Sequence, residues 1–317
     1  MRRPGAILAT IVSLGLLAAC DGFNTPSVTP RARPAGLAAP PPAAAREPSQ
    51  TSKDLRAYYA RVQSELLAQG LLRQDGGGID TPFTTRDLAS NFERIALYDE
   101  YARGRGLRAV SNAPSHLRRW VVPVRVNVEF GASVPPKQRD LDRGVVTKYT
   151  ARLARLTGHS VTMSQRQANF HVLVMGEDDR FAAVERIRQL VPNISENALD
   201  IFRTLPRSIH CLVVAFSGGS SDYEYRNAVA FVRAEHPDLM RRSCFHEEMA
   251  QGMGLANDSP AARPSIFNDD DEFALLTTHD EMLLRMLYNP RLRPGMTPDQ
   301  ARPIVSEIAA GLIGGPS

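Results

Sequence analysis

The sequence predicts an α+β protein: one sheet-containing domain of roughly 200 residues, preceded by a helical segment. Three observations carry that reading. From Trp120 the chain alternates strictly, with Val122, Val124, Val126, Val128 and Phe130 separated by Pro123, Arg125, Asn127 and Glu129, the period of a half-buried strand. Further apolar runs at Ser160 to Ser164, Asn169 to Gly176, Ser208 to Gly218 and Tyr223 to Arg233 also read as strands. Apolar residues at helical spacing stand before, between and after these runs.

The first element in chain order is a secretory signal over residues 1–19. Met1, Arg2 and Arg3 precede an apolar stretch from about Ala6 to Ala19, and Leu17-Ala18-Ala19 stands directly before Cys20. The stretch is shorter than the roughly 20 residues a spanning helix needs, and no later segment of that length lacks charge. A mature protein without a transmembrane helix is expected. Leu-Ala-Ala-Cys resembles the lipobox of bacterial lipoproteins. The resemblance implies that Cys20 receives a diacylglycerol, becomes the new N-terminus and holds the protein in the bacterial envelope, facing the periplasm. Ordinary signal cleavage beside an incidental Cys is the alternative. Asp21 favours the inner membrane in the best-known sorting system.

Residues 20–50 form the anchor and a linker. From Asn24 to about Gln50 the chain is dense in Pro and Ala without apolar periodicity, the composition of a disordered tether. Residues 51–115 form the helical segment. One amphipathic helix is expected near Lys53 to Arg73, with Leu55, Tyr59, Val62 and Leu66 on one face. A second is expected near Arg86 to Arg103, opened by Thr84 and Asp87 in capping-box spacing and carrying Leu88, Phe92, Ile95 and Tyr98. Gly76-Gly77-Gly78 and Thr81-Pro82 mark the loop between them.

Residues 116–317 form the main domain. After the alternating strand a helix is expected near Lys137 to Leu156, and one or two more between the runs at Asn169 and Ser208. Asp238 is expected to cap a helix reaching about Leu255, and helices near Thr277 to Tyr288 and Pro298 to Leu312 close the chain.

Charge and cysteines narrow the function. The formal charge is +4, and loss of Arg2 and Arg3 with the signal lowers it to +2 without any basic cluster, so nucleic acid is not an expected partner. Cys211 and Cys244 would reside in an oxidising compartment, where a pair is expected to be bridged.

The most informative stretch runs from Cys244 through His246, Glu247 and Glu248 to Asp258. Zinc proteases of the zincin class use H-E-x-x-H because residues four apart share a helix face and present two imidazoles to one metal beside a general-base Glu. The metzincin form extends to H-E-x-x-H-x-x-G-x-x-H. Here Glu247-Glu248-x-x-Gln251-x-x-Gly254-x-x-Asn257 keeps the Glu and the Gly and replaces all three histidines. Starting at His246 instead supplies no second imidazole. Downstream, Ser265-Ile266-Phe267, Leu276-Thr277, Asp280 and Leu287-Tyr288 resemble the Met-turn and following helix of matrixins, with Phe267 in place of Met. The order of strands and helices from Trp120 to Leu255 is similar too. The resemblance implies a metzincin-like domain: a mixed, mostly parallel twisted sheet, an active-site-type helix and C-terminal helices.

The chain resembles still more closely an uncharacterised family of bacterial envelope proteins, domain of unknown function twenty-nine twenty-seven. The residues concerned are Arg242-x-Cys244, Glu247-Glu248-x-x-Gln251-x-x-Gly254-Leu255-x-Asn257-Asp258, Ser265 to Asp269, and Leu283-Leu284-Arg285-x-Leu287-Tyr288 to Met296.

A Glu with two amides is a poor ligand set for zinc, so no catalytic residue, cofactor or metal is expected. Glu247, Glu248, Gln251, Gly254, Asn257, Asp258 and Phe267 then line a relic cleft, where hydrogen bonding would occupy the polar groups. Arg285, Arg241 or Arg242 would neutralise the two carboxylates. His246 is an outside candidate for a metal, and a rearranged site using it with His279 is the sharper variant; an ordinary core or surface histidine is the plain one. Asn268 to Glu272 offers oxygens but lacks calcium-loop spacing and reads as a solvated loop. The expected function is a lipid-anchored, non-catalytic binding or structural protein with an envelope protein or peptide as partner. The alternative is a metallopeptidase or amidase with zinc on non-standard ligands and Glu248 as general base. A scaffold acting through the helical segment is a third reading.

Overall fold

The computed structural model describes residues 47–101, 109–219, 221–268 and 270–314. The signal segment, Cys20 and the Pro/Ala-rich stretch up to position 46 lie outside them. Among the described residues no helix is long and apolar enough to cross a membrane.

Helix α1 (Gln50–Ala68) is capped by the Ser49 hydroxyl, which accepts the Ser52 N–H. Helix α2 (Thr85–Leu97) opens on the expected capping box, with Thr84 Oγ1 accepting from Asp87 N–H and the Asp87 carboxylate from Thr84 N–H. It stops six residues earlier than its apolar pattern suggests. Tyr98 is already extended, at φ −128° and ψ 153°, and the chain continues as strand β1 (Tyr98–Tyr101), paired antiparallel with β2 (Ala109–Pro114). Tyr98 and Tyr101 bound this run, and aromatic residues favour a strand over a helix.

The main sheet holds β3 (Arg119–Trp120), β4 (Val124–Phe130), β5 (Val161–Met163), β6 (Phe170–Met175), β7 (Cys211–Gly218) and β8 (Ser221–Arg233). Its order is β5-β4-β6-β8, all parallel; β3 runs parallel beside the start of β8, and β7 lies antiparallel along the other side of β8. The expected strand from Trp120 is thus two strands. Pro123 interrupts it because it has no N–H for the ladder.

Helices α3 (Pro136–Thr157), α6 (Asp238–Met253), α7 (Thr278–Leu287) and α8 (Pro298–Gly314) belong to the larger core, and α4 (Arg180–Leu190) and α5 (Glu196–Arg203) to a second cluster. Alternation sorts the strands between the two. Val172, Val174, Ala228, Ala230 and Val232 enter the larger core, and Leu173, Met175, Val229 and Phe231 the second. All six residues of β6 are buried, the mark of a central parallel strand covered on both faces. Each buried large apolar side chain contributes roughly 1.5–3 kcal/mol. Leu88, Phe92 and Ile95 of α2 lie in the larger core, so the helical segment is in part built into the domain it precedes.

Asp238 is the first residue of α6 and not its cap: Pro237 holds the N-cap position without a side-chain bond. The Asp238 carboxylate accepts from Arg241 at 2.7 Å and complements the positive end of the helix.

Candidate functional site

On α6, Cys244, Glu247, Glu248 and Gln251 fall at spacings of three and four and share one stripe. Alternation along β7 puts Cys211, Val213 and Ala215 on the side of the larger core, where α6 packs. This brings Cys211 to Cys244, and the two form the expected disulfide, with Cα atoms 5.8 Å apart. The Cys211 sulfur and one carboxylate oxygen each from Glu247 and Glu248 lie within 4.8 Å of one another. Glu248 is buried, whereas Glu247 is half-buried.

Three further residues complete this cluster. His236, between β8 and α6, is buried and places Nδ1 3.7 Å from Cys244 Sγ. The Tyr59 ring from α1 meets it edge-on at 4.2 Å, and the His210 ring lies 5.6 Å away. Burial holds the His236 imidazole well below its ordinary range, helped by the charges of His210, Arg233 and Arg241. Burial likewise pushes the Tyr59 hydroxyl up to about 12, and that hydroxyl donates to the Arg207 carbonyl at 2.9 Å. Ser52 fastens the start of α1 by donating to Glu235 at 2.8 Å. Sequence reasoning missed His210 and His236 and took Tyr59 only as a core-facing residue of α1. No local spacing joins them; the end of β8 and the start of β7 bring them together.

The residues expected to line a relic cleft are not assembled around one point. Gln251 Nε2 donates to Asp258 at 3.2 Å, while Asn257 donates its side-chain amide to Arg94 O at 2.8 Å and its backbone N–H to Ile95 O at 3.1 Å. Gly254 sits at φ +127°, and a Cβ there would come within 2.3 Å of the Arg118 carbonyl, so glycine is required by the turn itself. Phe267 is fully buried in the core. The turn before it is held by Asp280, which accepts from Ser265 Oγ, from Ile266 N–H at 3.1 Å, and from Thr277 N–H and Oγ1 at 2.9 and 2.8 Å.

The histidines named with the motif serve packing. His246 lies on the opposite face of α6 from Cys244, stacked on Tyr149 at 4.1 Å, and its Nδ1 accepts the Leu276 N–H at 3.0 Å. Burial, reinforced by Arg152 and Arg242, lowers its pKa to about 3, so it is a neutral structural acceptor. His279 is fully buried, with Nε2 3.2 Å from Asn91 Nδ2. The two do not form a joint site.

The arginines expected to neutralise Glu247 and Glu248 have other partners. Arg241 binds Asp142 in a buried pair at 3.0 Å, Arg285 faces Glu281 at 3.6 Å, and Arg242 donates to Gln74 at 3.3 Å. The run Asn268 to Glu272 is also not simply solvated. Asn268 is buried, and Glu272 accepts from Arg73 at 3.1 Å and Arg263 at 2.6 Å; Asp269 lies outside the described residues.

Together these features define a disulfide-bonded α+β protein with a mostly parallel curled sheet and a partly buried histidine–cysteine–carboxylate cluster against the middle of α6. Residues 85–307 match the family model described as protein of unknown function (DUF2927), and the chain belongs to that family. No curated protein and no solved structure matches it.

Proposed function

We propose that this is a lipid-anchored protein of the bacterial envelope, held through Cys20, whose metzincin-like domain is non-catalytic and binds an extended peptide or a partner's loop. The sheet order supports the domain reading: five parallel strands and one antiparallel edge strand, followed in the chain by α6 with its Glu-Glu-x-x-Gln-x-x-Gly sequence. The observation that carries the non-catalytic reading is the pair of bonds Gln251–Asp258 and Asn257–Arg94. Two of the three positions equivalent to zinc-binding histidines hold amides engaged elsewhere. That donor set does not fit a catalytic zinc, which needs strong nitrogen, sulfur or carboxylate ligands around one point. Strand β7 supports the binding reading. Its inner edge pairs with β8, and among the described residues no strand pairs with its outer edge, which is the arrangement that strand addition uses.

The test is elemental analysis of the purified full chain after dialysis against trace zinc, under non-reducing conditions, together with a Glu248→Gln exchange in the cell. Zinc near zero and an intact cellular role for E248Q agree with this reading. Zinc near one equivalent, with peptide or peptidoglycan-stem cleavage that stops in E248Q, would establish the alternative metallopeptidase or amidase. The anchor is tested separately: radiolabelled fatty acid should enter the wild-type chain and not Cys20→Ala.

A further inference from the structure

We propose that reduction of the Cys211–Cys244 disulfide unmasks a binding site for a soft divalent cation of the zinc class. The ligands would be the two freed thiolates, the His236 imidazole and a carboxylate from Glu247 or Glu248. The oxidised bond is the cover of this site, because each sulfur has its partner in the other.

Three elements deliver the ligands to one place. Cys211 opens β7, His236 follows β8, and Cys244 with the two carboxylates lies on one stripe of α6. The Cys211 sulfur and both carboxylates already sit within 4.8 Å of one another. His236 Nδ1 stands 3.7 Å from Cys244 Sγ. A thiolate sulfur at about 2.3 Å and an imidazole nitrogen at about 2.0 Å from one tetrahedral zinc are separated by about 3.5 Å, so the ring needs almost no movement. Its Nε2 is buried and makes no hydrogen bond, so nothing on that side ties down the tautomer in which Nδ1 is the ligand. Buried as it is, the ring is held neutral, the form that coordinates metal. Two thiolates, one imidazole and one carboxylate form a set that zinc and similar ions prefer to the hard oxygen-only ions. This site shares Glu247 and Glu248 with the zincin-type motif but uses none of Gln251, Asn257 or His246.

The electrons balance through a thiol reductant. A dithiol attacks the protein disulfide and leaves as its own cyclic disulfide, passing two electrons and two protons to Cys211 and Cys244. The cation then replaces both thiol protons, which go to solvent.

The experiment uses the full chain in detergent, oxidised or reduced by a water-soluble phosphine, which takes oxygen from water as it becomes the oxide. Cobalt(II) is the probe. The expected result is a sulfur-to-cobalt charge-transfer band in the near ultraviolet, saturating near one equivalent, in the reduced protein only. The double exchange Glu247→Gln, Glu248→Gln should keep the band but weaken binding at least tenfold, and Cys211→Ser should lose about half of the band's intensity. Uptake that is equal in oxidised and reduced protein would overturn the proposal. So would a reduced chain with native circular dichroism and no cobalt band, or reduction that unfolds the chain. Zinc bound to oxidised protein bears on the peptidase reading and not on this one.

Discussion

Asn257 donates its side-chain amide to the carbonyl oxygen of Arg94 at 2.8 Å, fastening the turn after α6 to the last turn of α2. The bond thereby ties the end of one core helix to another. Asn257→Ala should lower stability by about 1 kcal/mol, because a part-buried hydrogen bond between the turn and helix α2 is lost. Urea unfolding reads this directly. An unchanged midpoint would show that the bond contributes nothing.

The disulfide closes a loop with a sequence separation of 33 residues. Closure of a loop of that length restricts the unfolded chain by about 3–4 kcal/mol. Cys211 and Cys244 should not react with a thiol probe until a reductant is added, and Cys211→Ser should unfold at markedly lower denaturant. Two reactive thiols in folded, unreduced protein would refute the pairing.

His246 predicts a pH dependence of known sign. Its folded pKa of about 3 lies below the ordinary 6.5, so the unfolded chain binds the extra proton between those values. Stability from this residue is full above about pH 6.5 and falls by about 1.4 kcal/mol per unit as pH drops toward 3. His246→Asn keeps an acceptor for the Leu276 N–H and removes the titration. The variant should show a shallower loss of stability between pH 6.5 and 4 than the wild type; parallel curves would sink the assignment.

Asp280 holds the Ser265–Phe267 turn through four donors. Asn offers a single acceptor oxygen in its place, so Asp280→Asn should cost about 2–4 kcal/mol. Thermal melts monitored by circular dichroism measure it. A change below about 0.5 kcal/mol, well under one net hydrogen bond, would mean that the turn is held by packing alone.

Local signals were the legible ones. The alternation of β4, the Thr84–Asp87 capping box and the Thr277 start of α7 depend on residues within a few positions of one another, and the structure contains all three. The cysteine pairing was legible by a different route, from redox compartment and number. What escaped depends on the order of strands. Nothing near Arg241 announces that its carboxylate partner is Asp142, 99 positions away, instead of Glu247 or Glu248 beside it. The same holds for His210 and His236, whose rings meet only because β7 returns antiparallel along β8. The hairpin after α2 was hidden by apolar residues that continue the helical rhythm into Tyr98.

The segment after α1 is stitched to the far end of the chain. Leu72 and Arg73 donate their N–H groups to Asp271 and Glu272, and Ala274 donates back to Arg73. Side-chain contact between Arg73 and Glu272 spans 199 positions. A chain that emerges from a ribosome or a translocation channel N-terminus first therefore exposes one half of this seam long before the other exists. Loop closure of that length is slow and entropically costly. The seam cannot close until the segment from Asp271 to Ala274 has been delivered, which makes the last part of the sequence the step that completes it.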